Sequence, residues 1–128
     1  MEAQDLASYY TVTDTARCLG LPEARVRDWQ LKKFIAPALT KGRIQFARVD
    51  VVRMFVLDQL QTILGPTAIA TAIAQALEPT GLEDLLDGRR LKIEALIASP
   101  DGIERTFRVD INPVAIDQLR ERMAEVPR

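Results

Sequence analysis

"ARCLGLPEARVRDWQLKKFIAP", residues 16–37, holds one glycine, three arginines ahead of a single tryptophan, and a closing proline. Gly20 supplies a sharp break after a helix expected from an N-cap at Thr13 to about Leu19. A second helix is predicted from Pro22 or Glu23 to Lys32, with Pro22 in its first turn, where a missing N–H costs nothing. A tight bihelical turn needs a small residue four positions before the glycine, and Ala16 is there. It also needs apolar residues on either side of the turn and six and nine positions beyond the glycine; Leu19, Leu21, Val26 and Trp29 fill them. That spacing predicts a helix-turn-helix in which Ala16, Leu19, Leu21, Val26 and Trp29 meet across the bend.

Downstream, "LTKGRIQF" carries a turn signal, Lys41-Gly42, between short β-capable runs, which predicts a small wing hairpin. A third helix follows from Ala47 or Arg48 to Leu64, with Val49, Val52, Val56, Leu60 and Ile63 on one face and Phe55, Leu57 and Leu64 widening it. A fourth is expected from about Pro66 to Leu77. Residues 1–9 read as an arm or the start of a helix, with Tyr9-Tyr10 packing where the motif opens.

Glu78-Pro79-Thr80-Gly81 is the clearest boundary, and a short helical turn, Leu82 to Leu86, follows it. The apolar period then changes to two. Leu91, Ile93, Ala95 and Ile97 form one strand face, and Phe107, Val109 and Ile111 form the other. Pro100 and Gly102 fit a three-residue loop, a type I turn closed by a left-handed glycine. The loop sets the register: Ile97 opposite Arg105, Ala95 opposite Phe107, Ile93 opposite Val109, Leu91 opposite Ile111. A one-residue slip would set apolar side chains against polar ones. Asn112-Pro113 caps a last helix to about Glu125, with Ile116, Leu119, Met123 and Val126 as its stripe. A lone two-stranded sheet is marginal in water, so the hairpin is expected to be covered by this helix and completed by another hairpin or protomer. The fold class is therefore mainly α (α+β), with a winged helix-turn-helix domain over 1–77 and a β-hairpin and helix unit over 78–128.

Composition narrows the function. With 48% hydrophobic residues the chain is not disordered. No apolar run reaches the roughly 18–20 residues that span a bilayer, and the N-terminal sequence lacks the basic start and apolar core of a signal peptide, so a cytoplasmic protein with no membrane partner is expected. One cysteine, Cys18, and no histidine leave no multi-cysteine zinc cluster and no common general base. No enzyme, metal or cofactor is expected. Cys18 reads as a small buried side chain, and Trp29 as core.

The formal net charge of −1 hides an asymmetry. Between Arg17 and Arg53 nine basic residues face three acidic ones, an excess of six, whereas Glu78 to the end holds eight basic and eleven acidic residues. A focused positive field of that kind suits a polyanion.

The run from Tyr10 to about Ile73 resembles the winged helix-turn-helix domain of the MerR family of bacterial transcription regulators. "RDWQLKKFIAP" keeps that family's Arg27, Trp29, Phe34, Ile35 and Pro37, and "RIQFARVDVVRM" keeps an aromatic at Phe46 with Asp50-Val51 in register. Lys33 stands where the family has glycine, Asp28 where it has an aromatic, and Arg43 lies three rather than two residues before Phe46.

The resemblance implies that the second helix enters the major groove of double-stranded DNA while the wing lies along the backbone. Glu23 and Ala24 would face base edges, Arg25 and Arg27 a phosphate or a guanine, and Lys32, Lys33, Lys41, Arg43 and Gln45 the backbone, with Thr13 and Asp28 on the same surface. The implied protein is a homodimeric transcription regulator of bacterial or phage origin. Two other functions remain open: an architectural factor of the excisionase or terminase small-subunit type, and an adaptor that binds RNA polymerase or a toxin through the C-terminal hairpin. Typical family members carry a long dimerisation helix after this domain, and often a metal or ligand site. Here a hairpin and one helix follow without thiolate ligands, so metal sensing is not expected.

Overall fold

Thr11, two residues before the expected Thr13, opens the first helix. In the computed structural model, which describes residues 9–35, 38–40, 43–65, 67–98 and 100–126, α1 spans Val12–Leu19. The Thr11 hydroxyl accepts from the Asp14 N–H at 3.0 Å, and the Asp14 carboxylate accepts from the Thr11 N–H at 3.2 Å. This reciprocal pair satisfies two N–H groups that a helix start leaves open, and Thr13 has no such partner three residues on. α2 covers Glu23–Leu31 with Pro22 as its N-cap.

A three-stranded antiparallel sheet follows, in the order β1 (Tyr9–Tyr10), β3 (Arg43–Ala47), β2 (Ala38–Thr40). Tyr10 pairs with Phe46 and Thr40 with Arg43. The hairpin strands stand as expected, although the turn residues Lys41 and Gly42 lie outside the described residues, as do residues 1–8. Tyr9 and Tyr10 are a strand rather than an arm, and pairing with β3 buries Tyr10 and Phe46 together.

α3 (Arg48–Leu64) is the central element. Val51, Val52, Met54, Phe55, Val56, Leu57 and Leu60 are all buried, more than one stripe could supply, because α1, α4 (Ala68–Ala76) and α5 (Pro79–Leu86) all pack on it. Ile63, in its last turn, is 60% exposed. The Ala47 N–H donates to the Asp50 carboxylate at 3.2 Å, half of a capping box. Burial raises the Asp50 carboxyl above its ordinary value, while the Ala47 N–H and nearby Arg53 pull it back.

That raised value has a measurable result. Folding takes up a proton at Asp50 in the window between the ordinary and the raised value, so the stability it contributes falls as pH rises through that window. Asn at this position keeps an oxygen for Ala47 and never ionises. The stability of Asp50→Asn relative to the unsubstituted protein should therefore grow as pH rises from about 3 toward neutrality, read by urea denaturation at each pH. A constant or shrinking difference would show that ionised Asp50 carries no burial penalty.

Glu78 is the N-cap of α5, and Pro79-Thr80-Gly81 forms that helix's first turn, so the helix is longer than the expected Leu82 to Leu86. Leu82, Leu85 and Leu86 enter the same buried cluster as Val26, Trp29, Phe46 and the α3 residues. Apolar packing thus runs without a break across position 78.

β4 (Lys92–Ala98) and β5 (Glu104–Asp110) pair antiparallel in the expected register, with Ile93 opposite Val109, Ala95 opposite Phe107 and Ile97 opposite Arg105. The Ile111 N–H extends the ladder to the Leu91 carbonyl at 2.6 Å. Gly102 is left-handed at φ +84°, as the loop requires. α6 (Pro113–Ala124) starts at Asn112, whose side chain accepts from the Val114 N–H at 2.8 Å, and it buries Ile116, Leu119, Met123 and Val126.

The cover of the hairpin differs from expectation. α6 packs chiefly on α1 and α5, and β4 meets α4 instead. Ala68 and Ala72 are small enough to let the strand approach, and they line a cavity of about 280 Å³ with Ile69, Ile97 and Phe107. The apolar face is consequently graded: Ile93, Val109 and Ile111 are buried, whereas Ala95, Ile97 and Phe107, nearer the tip, are half-buried. Among the described residues no helix is long and apolar enough to cross a membrane.

Candidate nucleic-acid interface

Gly20 makes the turn between α1 and α2 at φ +68°, a conformation that an L side chain resists. It lets the Leu21 N–H reach the Ala16 carbonyl at 3.0 Å. Ala16, at 4% exposed, sits at the crossing; Val26 and Trp29 are buried on the inner face of α2, and Leu19 and Leu21 pack at the rim. All five residues chosen by spacing therefore meet as expected.

Helical periodicity turns Ala24, Arg27, Asp28 and Leu31 to the opposite, exposed face of α2. Arg27 Nη2 lies 3.2 Å from Glu23 Oε1, and the Thr13 hydroxyl donates to Glu23 Oε2 at 3.2 Å. Glu23 thus bridges α1 to the arginine. The Arg27 and Glu23 side chains are both more than two-fifths exposed, and such pairs contribute about 0–1 kcal/mol, so Arg27 can exchange its carboxylate for a phosphate at little cost. Asp28 and Lys32 form a second exposed pair at 3.0 Å.

Arg25 is placed differently. Its guanidinium reaches across to α3, 3.1 Å from Asp58 and 3.2 Å from the Gln61 side-chain oxygen, and it stacks 5.3 Å from the centre of the Trp29 ring. Arg25 and Trp29 border a cleft of about 670 Å³ between α2 and α4, shared with Asp28, Lys32, Gln61 and Gln75. Arg25 therefore joins α2 to the core helix and stands apart from the exposed stripe.

Two further arginines in the basic window are also engaged within the fold. Arg48 pairs with Glu83 of α5 at 3.0 Å, and Arg53 donates to the Ala74, Gln75 and Leu77 carbonyls, closing the C-terminal end of α4. Asp58 and Glu83 both lie outside the window, so two of its six excess charges are neutralised from beyond it.

Lys33 is exposed and holds φ +62°. The Phe34 N–H donates to the Trp29 carbonyl at 3.0 Å across it, the arrangement that closes a helix around a left-handed residue. Lys33→Gly should therefore stabilise the fold by about 0.5–1 kcal/mol in urea denaturation. A loss of stability instead would mean that the lysine stem makes compensating contacts.

Gln45 is half-buried on β3 opposite Ala38, and Arg43 sits at the start of β3 beside the turn. The Arg43 side chain and the whole of Lys41 lie outside the described residues. Thr13, Glu23, Ala24, Arg27, Asp28, Lys32 and Lys33 are thus on α1, α2 and the residues that close α2. Gln45 and Arg43 are on the hairpin that follows, and Arg25, with its side chain 40% exposed, leans toward α3.

Leu31 was missed as a surface residue. It is 73% exposed, in the last turn of α2. Its spacing of four from Arg27 and seven from Ala24 is the signal that places it on the stripe.

No protein-family model and no curated protein matches the chain.

Proposed function

We propose that the chain is a sequence-specific double-stranded DNA-binding transcription regulator, of bacterial or phage origin, that acts as a homodimer. Residues 10–73 would form a MerR-like winged helix-turn-helix. One observation carries the reading: the left-handed turn at Gly20 fixes α2 so that Ala24, Arg27, Asp28 and Leu31 face outward, followed by the antiparallel strands β2 and β3, the second of which begins at Arg43. On α2, Arg27 is held only by a weak surface pair that a phosphate can replace. Arg25 supports α2 from behind, because its ion pair ties that helix to α3.

The test is a titration of the intact protein on duplexes it selects from a random pool. Binding should weaken with salt, each phosphate contact adding roughly 0.9 to the log-log slope. Arg27→Ala should cost about 1–3 kcal/mol of affinity if it reads a guanine, with folding unchanged. Arg25→Ala should instead lower fold stability. Absence of any selected duplex at about 50 mM salt would end the reading.

A second reading, a protein-binding adaptor acting through the C-terminal hairpin, is favoured by the large apolar side chains of Leu96 and Ile103, 62% and 51% exposed there. Co-purification of one protein partner together with absence of DNA binding would select it.

A further inference from the structure

β5 is the outer strand of the C-terminal hairpin. β4 lies against the body, where α4 touches it and where Gly81 and Leu85 of α5 share a cavity with Lys92, Ile93 and Glu94. Among the described residues no third strand joins the hairpin.

The ladder fixes which groups β5 leaves open. Because the Ile111 N–H donates to the Leu91 carbonyl, residues 111, 109, 107 and 105 turn their backbone groups toward β4. Glu104, Thr106, Arg108 and Asp110 then turn theirs outward, and all four side chains are exposed. A row of open N–H and C=O groups is a template for another strand, and natural edges are commonly guarded by charge. Here the charges do not forbid pairing altogether. Among the registers that pair five or more residues of the strand, they select one.

An antiparallel pair of β5 strands about a two-fold axis must bring outward-facing residues opposite one another. An axis at Glu104 sets Glu104 against itself, and one at Arg105 sets Arg105 against itself. An axis at Phe107 places Glu104 opposite Asp110, and one at Arg108 sets Arg108 against itself. Each of these is a like-charge pair, which destabilises a sheet.

An axis at Thr106 is different. It sets Thr106 against Thr106 and Glu104 against Arg108 twice, once in each direction. On the other face it sets Arg105 beside Phe107, again twice, where a guanidinium can lie over the ring. Arg108 already lies 3.7 Å from Glu94 on β4, so each arginine would stand between two carboxylates across the sheet.

We propose that β5 pairs with β5 of a second copy of this chain, antiparallel about a two-fold axis at Thr106, to give a continuous four-stranded sheet β4-β5-β5-β4. The interface is isologous, as a two-fold dimer requires. It also completes a hairpin that is marginal alone. The proposal deepens the homodimer in the DNA-binding reading and rests on that reading only for its purpose. It is measured without DNA, so failure of the dimer and failure of DNA binding are seen separately.

The experiment is a solution mass measurement on the full chain and two charge variants, up to about 100 µM. The unsubstituted protein should approach twice its 14.3 kDa. Glu104→Arg, whose own cross-strand neighbour is Ala98, sets arginine against Arg108 of the other copy. Arg108→Glu sets glutamate against Glu104 of the other copy. Each alone should weaken the dimer roughly tenfold or more. An equal mixture restores both opposite-charge pairs in a heterodimer and should return dimer mass. Circular dichroism confirms that each variant is folded, and if Arg108→Glu is not, Glu104→Arg alone decides by its loss of dimer. A monomeric unsubstituted protein, a Glu104→Arg dimer as tight as the original, or a folded mixture that stays monomeric would each overturn the proposal.

Discussion

Trp29→Ala should cost about 3–5 kcal/mol of folding stability, a large part of the roughly 5–15 kcal/mol that holds a domain of this kind together. Trp29 is 2% exposed, on the inner face of α2 beside the fully buried Val26. Its removal would leave a void that the α1–α2 turn, pinned at Gly20, cannot collapse to fill. It would also strip the ring from under Arg25 and so loosen the ion pair that ties α2 to α3. Trp29→Phe keeps an aromatic ring in the same place and should lose much less. Urea denaturation followed by circular dichroism measures both. Trp29→Phe also separates packing from recognition, since a buried ring does not reach a base. On the proposed DNA-binding function, affinity should therefore survive that change, and a folded Trp29→Phe protein that no longer binds the selected duplex would place Trp29 on the reading surface.

Elements whose signals are local and chemically redundant were the legible ones. The β4–β5 register followed from Pro100 and Gly102 at the loop and from apolar alternation on both strands, two independent constraints with one solution. Asn112-Pro113 marked the start of α6 in the same way. The first helix start was misplaced by two residues because Thr11 and Thr13 are both good caps, and only the acceptor at Asp14 favours Thr11. β1 was missed because two residues show no period.

What covers what was not legible. The stripe of α6 was read correctly, yet it faces α1 and α5 rather than the hairpin, since an amphipathic pattern specifies a buried face and not its partner. The candidate site divides along the same line. Arg27 and Lys33 stand exposed on and just beyond α2, where the resemblance put them, but Arg25 is turned to Asp58 and Arg48 to Glu83, acids that a count along the sequence window leaves out. Charge excess in this window therefore overstates the field that the fold presents.

Leu86→Ala should lower stability by about 2–5 kcal/mol, and the loss should be visible from the far half of the chain. Leu86 is fully buried at the end of α5, and its carbonyl accepts from Arg120 Nε of α6 at 2.8 Å. It belongs to the cluster that contains Trp29, Val26 and Phe46, and α3 is packed by elements from both sides of position 78. Trp29 is the chain's one tryptophan, so its fluorescence reports on the packing around α2, while circular dichroism reports on all the helices. If the core is continuous, the two signals should move together to lower urea in Leu86→Ala, in one transition. Were residues 1–77 and 78–128 to unfold independently, the tryptophan transition would stay where it was while part of the dichroism signal moved. The size of the shift separates the cases further. A cavity in a small isolated hairpin-helix unit would unfold that unit outright, whereas a cavity in a shared core lowers the stability of the whole by a finite amount and leaves a cooperative transition at lower denaturant.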